Sequence, residues 1–225
     1  MMCSRFAALL STELLSTIKK LFGIPVPVSA ESRYNIAPAQ HAWVVRNEGN
    51  RKRLVQMKWG LVPSGGQEPE TGNRLINARC ETAHEEPAFY QAIKCRRCIV
   101  PASGVYAWSQ SDEKKQPYYI RMADGSPMCF AGLWEQSGNP GDEDNPETFT
   151  ILTMAANRLV APINDRMPVI LPPGSCDLWL NQGVNDPEQL LGLYLPFPAD
   201  LLEAYKVPDL VNNVRFDGPA CIARV

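Results

Sequence analysis

The sequence predicts an α+β fold in a single domain, and three observations carry that expectation. The β-rich runs fill the middle of the chain, the helix-type stretches lie near its ends, and the 20 prolines are spread throughout without marking a linker. A chain of 225 residues is within the range of one domain and long enough to bury a real core.

Taken in order, "STELLSTIKKLFG" (11–23) has cap-type residues, apolar positions at helical spacing and a terminal glycine, so it predicts an amphipathic helix. "HAWVV" and "RLVQMKWG" (within 41–60) predict a hairpin split by the turn-like "NEGNRKR". Further strands are predicted at "RCIVPA", "GVYAWS", "PYYIRM", "MCFAGLW" and "TFTILTM", separated by glycine, proline and charged turns. "GSCDLWLNQ", "DPEQLLGLY" and "PADLLEAY" predict short helices, each opened by a proline or a capping residue. The polar stretches 65–73 and 136–148 are expected to be surface loops on one body spanning 1–225.

The 45% hydrophobic and 20% charged content excludes disordered and collagen-like classes. No apolar run reaches membrane-spanning length, so no membrane partner is expected. Without a secretion signal at its start, the chain is expected in the cytoplasm, and its odd seven cysteines are expected to be reduced thiols. The net charge of −2 hides an asymmetry: residues 1–125 carry 17 Lys+Arg against 11 Asp+Glu, and residues 126–225 carry 5 against 13. That difference, +6 against −8, fits a phosphate-facing first half or merely uneven solvation.

Several residues are candidates for chemistry. Cys3 lies almost at the amino terminus, where an α-amine and a thiol on adjacent carbons have joint reactivity once the preceding methionines are gone. "CRRC" (95–98) has zinc-ligand spacing, but no second pair completes four ligands, so no metal is expected and Cys98 reads as a buried strand residue. Of the two histidines, His41 sits at a strand start and His84 in the polar run "ETAHEEP", and each reads as exposed. In "LINARCET" (75–82), Asn77, Arg79 and Glu81 alternate, so an extended chain would project them to one face. They would grip an oxyanion or phosphate, or form a solvent-facing ion pair. "INDRMPVIL" sets Asn164, Asp165 and Arg166 in a turn before an apolar strand.

Ten blocks, "CSRF", "RYNIAPAQ", "KWGLVPS", "LINARCET", "CIVPASGVYAW", "KKQPYYI", "FAGLWE", "ILTMAAN", "NDRMPVILP" and "VNNVRFDGP", together resemble the SRAP (SOS-response-associated peptidase) family over roughly residues 2–219. The resemblance implies a central mixed, mostly antiparallel, barrel-like curved sheet flanked by short helices. It also implies an abasic-site sensor that binds single-stranded DNA and needs no cofactor, with possible self-processing peptidase or lyase activity. In that chemistry the freed cysteine closes a thiazolidine on the abasic aldehyde: the amine forms an imine, then the thiol adds. The unperturbed pKa values, about 8 for the amine and about 8.5 for the thiol, leave each a usable reactive fraction at neutral pH.

Carried over by residue, the resemblance implies that Cys3 is the nucleophile and Asn77 the asparagine that positions the sugar or the cysteine. It implies DNA-backbone contacts for Arg5, Arg79 and Arg166. Ala107 in "GVYAW" stands where the family has glutamate, and Asn164 where it has histidine. Ser4 replaces a glycine, and Gly65 falls where many relatives carry a tryptophan after "VPS", a contact of the stacking kind worth about 1–3 kcal/mol per base. Met2 is not the small residue that initiator removal generally requires, so freeing Cys3 implies a start at Met2 or self-processing. Three functions follow for testing: a thiazolidine crosslinker, a non-covalent DNA-binding relative, and an amidohydrolase with an amino-terminal cysteine nucleophile.

Overall fold

Strand pairing organises the chain into two sheets that share the predicted β-rich middle. The computed structural model describes residues 3–9, 11–25, 30–49, 51–64, 75–109, 115–136 and 146–225. In chain order the elements are β1 (Phe6–Ala8), α1 (Thr12–Phe22), β2 (Arg33–Ile36), β3 (His41–Glu48), β4 (Arg51–Trp59), β5 (Asn77–Arg79), α2 (Tyr90–Cys95), β6 (Arg97–Ala102), β7 (Gly104–Trp108) and β8 (Pro117–Met122). They continue with β9 (Met128–Gln136), β10 (Glu147–Ala155), β11 (Arg166–Pro168), α3 (Cys176–Leu180) and β12 (Leu202–Lys206).

Five strands close on themselves. β10 pairs β4 in parallel, β4 pairs β3, β3 pairs β6, β6 pairs β9, and β9 returns to β10, the last four pairings all antiparallel. Closure removes sheet edges, and β6, β9 and β10, buried on both faces, read as near-continuous apolar runs, whereas β3 and β4 keep a polar end. Gly132 marks a tight point of this ring: a Cβ there would lie 2.9 Å from both the Cys98 Sγ and the Thr150 carbonyl oxygen, so only glycine lets β9 sit between β6 and β10. Inside, Trp59 and Phe149 stack at 6.2 Å between centroids and Phe6 meets Trp59 edge-on at 5.2 Å. The second sheet runs β12-β8-β7-β1-β2.

α1 forms where the caps predict it. The Ser11 hydroxyl accepts from the Leu14 N–H at 3.3 Å, and Gly23 takes the left-handed conformation (φ +69°) with its N–H on the Lys19 carbonyl. Leu14, Ile18 and Phe22, four residues apart, bury the inner face.

Four expectations are corrected in detail. The 198–205 stretch is a 3-10 turn at Ala199–Leu201 followed by β12, because the edge of β8 offers a backbone ladder from Met122 to Tyr118 that outweighs the propensity of so short a helix. The 186–194 stretch is 3-10 at Pro187–Leu193, and α3 spans only five residues. The hairpin turn is tighter than "NEGNRKR", since β3 runs to Glu48 and β4 starts at Arg51, with Gly49 at φ +58°. Arg166 lies in β11 and not in the turn before it. The predicted loop 65–73 lies outside the described residues, as do Gly65 and residues 137–145 of the second loop, whose flanking strands run to Gln136 and from Glu147.

α2 was not legible in the sequence, and neither was the role of Arg97. This guanidinium is 4% exposed and donates to the carbonyls of Ile93 and Lys94 at the end of α2, and of Trp179 and Asn181 at the end of α3. It thereby satisfies carbonyls that two short helices leave without intrahelical partners. Among the described residues no helix is long and apolar enough to cross a membrane.

Candidate functional site

Three stretches distant in sequence meet at the start of β1. β1 lies between β2 and β7, with Phe6 opposite both Ile36 and Val105. The Tyr106 N–H donates to the Arg5 carbonyl at 3.1 Å, so this register carries the chain before β1 toward Ala107. β10 holds the other two stretches: β5 pairs it through Asn77, Ala78 and Arg79, and β11 pairs it through Arg166, Met167 and Pro168.

The result is a small cavity of about 10 Å³, room for one water at most, whose wall includes Cys3, Ala107, Asn164 and Arg166. The rest of the wall is largely apolar, with Val105, Ile120, Val160 and Met167. Cys3 itself is buried and has φ +25°, an uncommon conformation for a residue with a side chain. The Asn77 carboxamide nitrogen donates to its carbonyl at 3.1 Å and holds it in place. Burial pushes the Cys3 thiol up to about 12, so in this state it is a neutral S–H. That corrects the expected usable thiolate fraction at neutral pH: an apolar wall disfavours the charged form.

Asn164 is 4% exposed and ends a turn in which its N–H donates to the Val160 carbonyl. Its side-chain oxygen accepts from the Arg166 N–H at 3.2 Å, so the carboxamide shapes the turn into β11. The Arg166 guanidinium forks onto Glu81 at 2.5 and 2.7 Å and also donates to the Thr153 carbonyl at 2.7 Å. This contact holds the Glu81 carboxyl below its ordinary range and raises Arg166. Burial, then the Glu81 charge, pushes the neighbouring Cys80 thiol up to about 12.

The predicted common face of Asn77, Arg79 and Glu81 does not form. β5 ends at Arg79, whose carbonyl accepts from the Thr82 and Ala83 N–H groups, so the chain turns and Glu81 is aimed at Arg166. Arg79 is exposed and lies outside the cavity wall. Arg5 is partly buried, with Nη1 donating to the Ser4 carbonyl at 2.6 Å and its charge disfavoured by desolvation. His41 begins β3 and His84 stands 3.5 Å from Glu85, and neither lines this cavity. Met1 and Met2 lie outside the described residues.

Pattern reading missed the apolar wall and Thr153, which anchors Arg166 from the ring strand. The signal was the unbroken apolar and threonine run of β10, which marks a strand buried on both faces. Among the described residues no three of His, Cys, Asp and Glu converge to hold a metal ion.

A sequence profile described as SOS response associated peptidase (SRAP) matches residues 2–214. The chain belongs to the SRAP family. The abasic site processing protein YoqW of Bacillus subtilis is 40% identical over 191 residues, covering 84% of each chain. The abasic site processing protein YedK of Escherichia coli is 31% identical over the whole of both chains. A solved Bordetella bronchiseptica protein superposes with a TM-score of 0.75 at 30% identity, over 92% of this chain and 100% of that one. A Bacteroides thetaiotaomicron protein, at 24% identity, shares the SRAP fold with a TM-score of 0.82 over 98% and 99%. The α+β sheet architecture expected from the sequence is therefore the architecture of this SRAP chain.

Proposed function

We propose that this SRAP protein recognises abasic sites in single-stranded DNA and captures the abasic aldehyde through Cys3, slowly. The observation that carries the reading is the meeting of Cys3, Asn164 and Arg166 at one cavity, with Asn77 on the Cys3 carbonyl. The relatives YoqW and YedK, both abasic site processing proteins, support the substrate class.

The chemistry requires the bond between Met2 and Cys3 to be cut, which a peptidase activity of the family type would supply. The free α-amine then adds to the aldehyde carbon, and loss of water gives an imine. The thiol sulfur adds to the same carbon while its proton passes to nitrogen, closing the thiazolidine with the advantage of proximity. Ala107 and Asn164 offer no proton exchange near neutral pH, and Glu81 is committed to Arg166. Acid–base groups typically contribute factors of about 10² to 10⁴, so capture is slow and an adduct once formed is long-lived.

The neutral thiol and these two residues also favour a second reading, a relative that binds DNA without reacting. Intact mass before and after incubation with a single strand bearing one abasic site separates the two. A species starting at Cys3 that gains the DNA mass less one water, and is lost in Cys3→Ala, is the expected result. Salt-sensitive binding with no mass gain would establish the non-covalent reading, and no binding at all would overturn both.

A further inference from the structure

A second depression, separate from the Cys3 cavity, opens between the turn after β5, α2 and the 3-10 segment at Pro187–Leu193. Its volume is about 340 Å³. Its two lips carry opposite polarity: His84 and Lys94 on one, Asp186 and Glu188 on the other. Buried Ile93 and the half-exposed Leu191 give it an apolar floor of lining side chains, and Tyr90 and Tyr194 add two aromatic residues to the lining.

Its polar groups are only partly used within the chain. The Tyr194 hydroxyl is buried and has no hydrogen-bond partner among the described residues, although its ring packs edge-on against Trp179 at 6.3 Å. Asp186 spends one oxygen on the Glu188 N–H at 3.0 Å, and the Glu188 carboxylate makes no contact with a described polar group. Lys94 donates to the Tyr90 hydroxyl at 2.6 Å, with its ammonium 3.8 Å from the ring centroid.

We propose that this depression is a binding site for a guanine base. A flat molecule with apolar faces suits the floor and the rings, where base–aromatic contacts contribute most. Two carboxylates exclude an exposed phosphate from their lip but accept from neighbouring N–H donors, as guanine presents at N1 and N2. The opposite edge of guanine carries only acceptors, O6 and N7, which suit Lys94 and His84. Adenine places a donor beside N7 and thus toward the cationic lip, and uracil and thymine lack the paired donors, so each leaves polar groups unmatched. The base is either that of a free guanosine or one carried on a nucleic acid strand, since both present the same edges.

The test is amide chemical-shift perturbation of the full-length protein titrated with guanosine, adenosine, cytidine and uridine. Guanosine is expected to shift residues 84–94 and 186–194 saturably, at least tenfold more tightly than the other three, and to leave the Cys3 amide in place. Glu188→Gln, an exposed position that keeps the fold, and Tyr90→Ala should each weaken guanosine by about tenfold or more. Equal response to all four nucleosides, no saturable shift, or an unchanged affinity in Glu188→Gln would overturn the site. A second arm compares an oligothymidine carrying one guanine with free guanosine: tighter binding of the strand identifies a strand-borne base, and weaker binding identifies the free nucleoside. Because the site is read by shifts remote from Cys3, its failure and the failure of abasic-site capture register independently.

Discussion

On one side of the Cys3 cavity, Asn77 and Arg166 are held by strands on the two flanks of β10 and tied to Cys3, Thr153 and Glu81 by directed hydrogen bonds. On the other side, β7 presents a methyl group at Ala107, and the turn before β11 presents a carboxamide occupied with its own backbone. On the proposed reading, the first side orients a nucleophile and an anionic strand, and the second holds no group that exchanges a proton near neutral pH. On that reading positioning and proton transfer are separable, because the Asn77 and Arg166 contacts stand although Ala107 and Asn164 offer no proton-exchanging group.

The most forceful way to break that comparison is to restore the second side. Ala107→Glu combined with Asn164→His is expected to accelerate adduct formation with an abasic single strand by about 10²-fold or more, measured as the single-turnover rate. An unchanged rate in a variant of unchanged Tm would mean that the two sides are not separable. A smaller effect is expected from the first side. Arg79→Ala should weaken single-strand binding across sequences and lower the slope of log affinity against log salt by about 0.7, as loss of one phosphate contact requires. A slope equal to that of the unaltered protein would remove Arg79 from the interface.

The smallest effect concerns Glu81. Arg166 lowers its folded pKa, so the pair contributes stability above the unfolded carboxyl value of about 4.3, and that contribution is lost as pH falls through the folded value. Since Glu81 is half-exposed, Glu81→Gln should cost under about 1 kcal/mol at pH 7, with the Tm gap closing in acid. A gap that persists at pH 2 would mean that Glu81 acts through packing and not charge.

How much of this was legible in the sequence depended on how local the cause was. α1 was readable because Ser11, the four-residue apolar spacing and Gly23 act within one helix. β6, β9 and β10 were readable because burial on both faces writes an apolar run. β12 was not, since "LEAYK" is strand only because β8 has an edge to offer. At the site, position in the chain pointed to Cys3 and the family resemblance to Asn77 and Arg166, but the partner of Glu81 and the state of the Cys3 thiol depend on tertiary burial, which no spacing encodes.

The closed ring of five strands also constrains the order of events as the chain leaves the ribosome. β3, β4, β6 and β9 all emerge before β10, so the edge of β4 that β10 will cover waits unpaired while the rest is made. An exposed strand edge is a template for any other chain. Lys58 stands on the part of β4 that β10 will cover, and Arg51, Lys52 and Arg53 line the far end of the same strand, so another chain approaching this edge meets like charges.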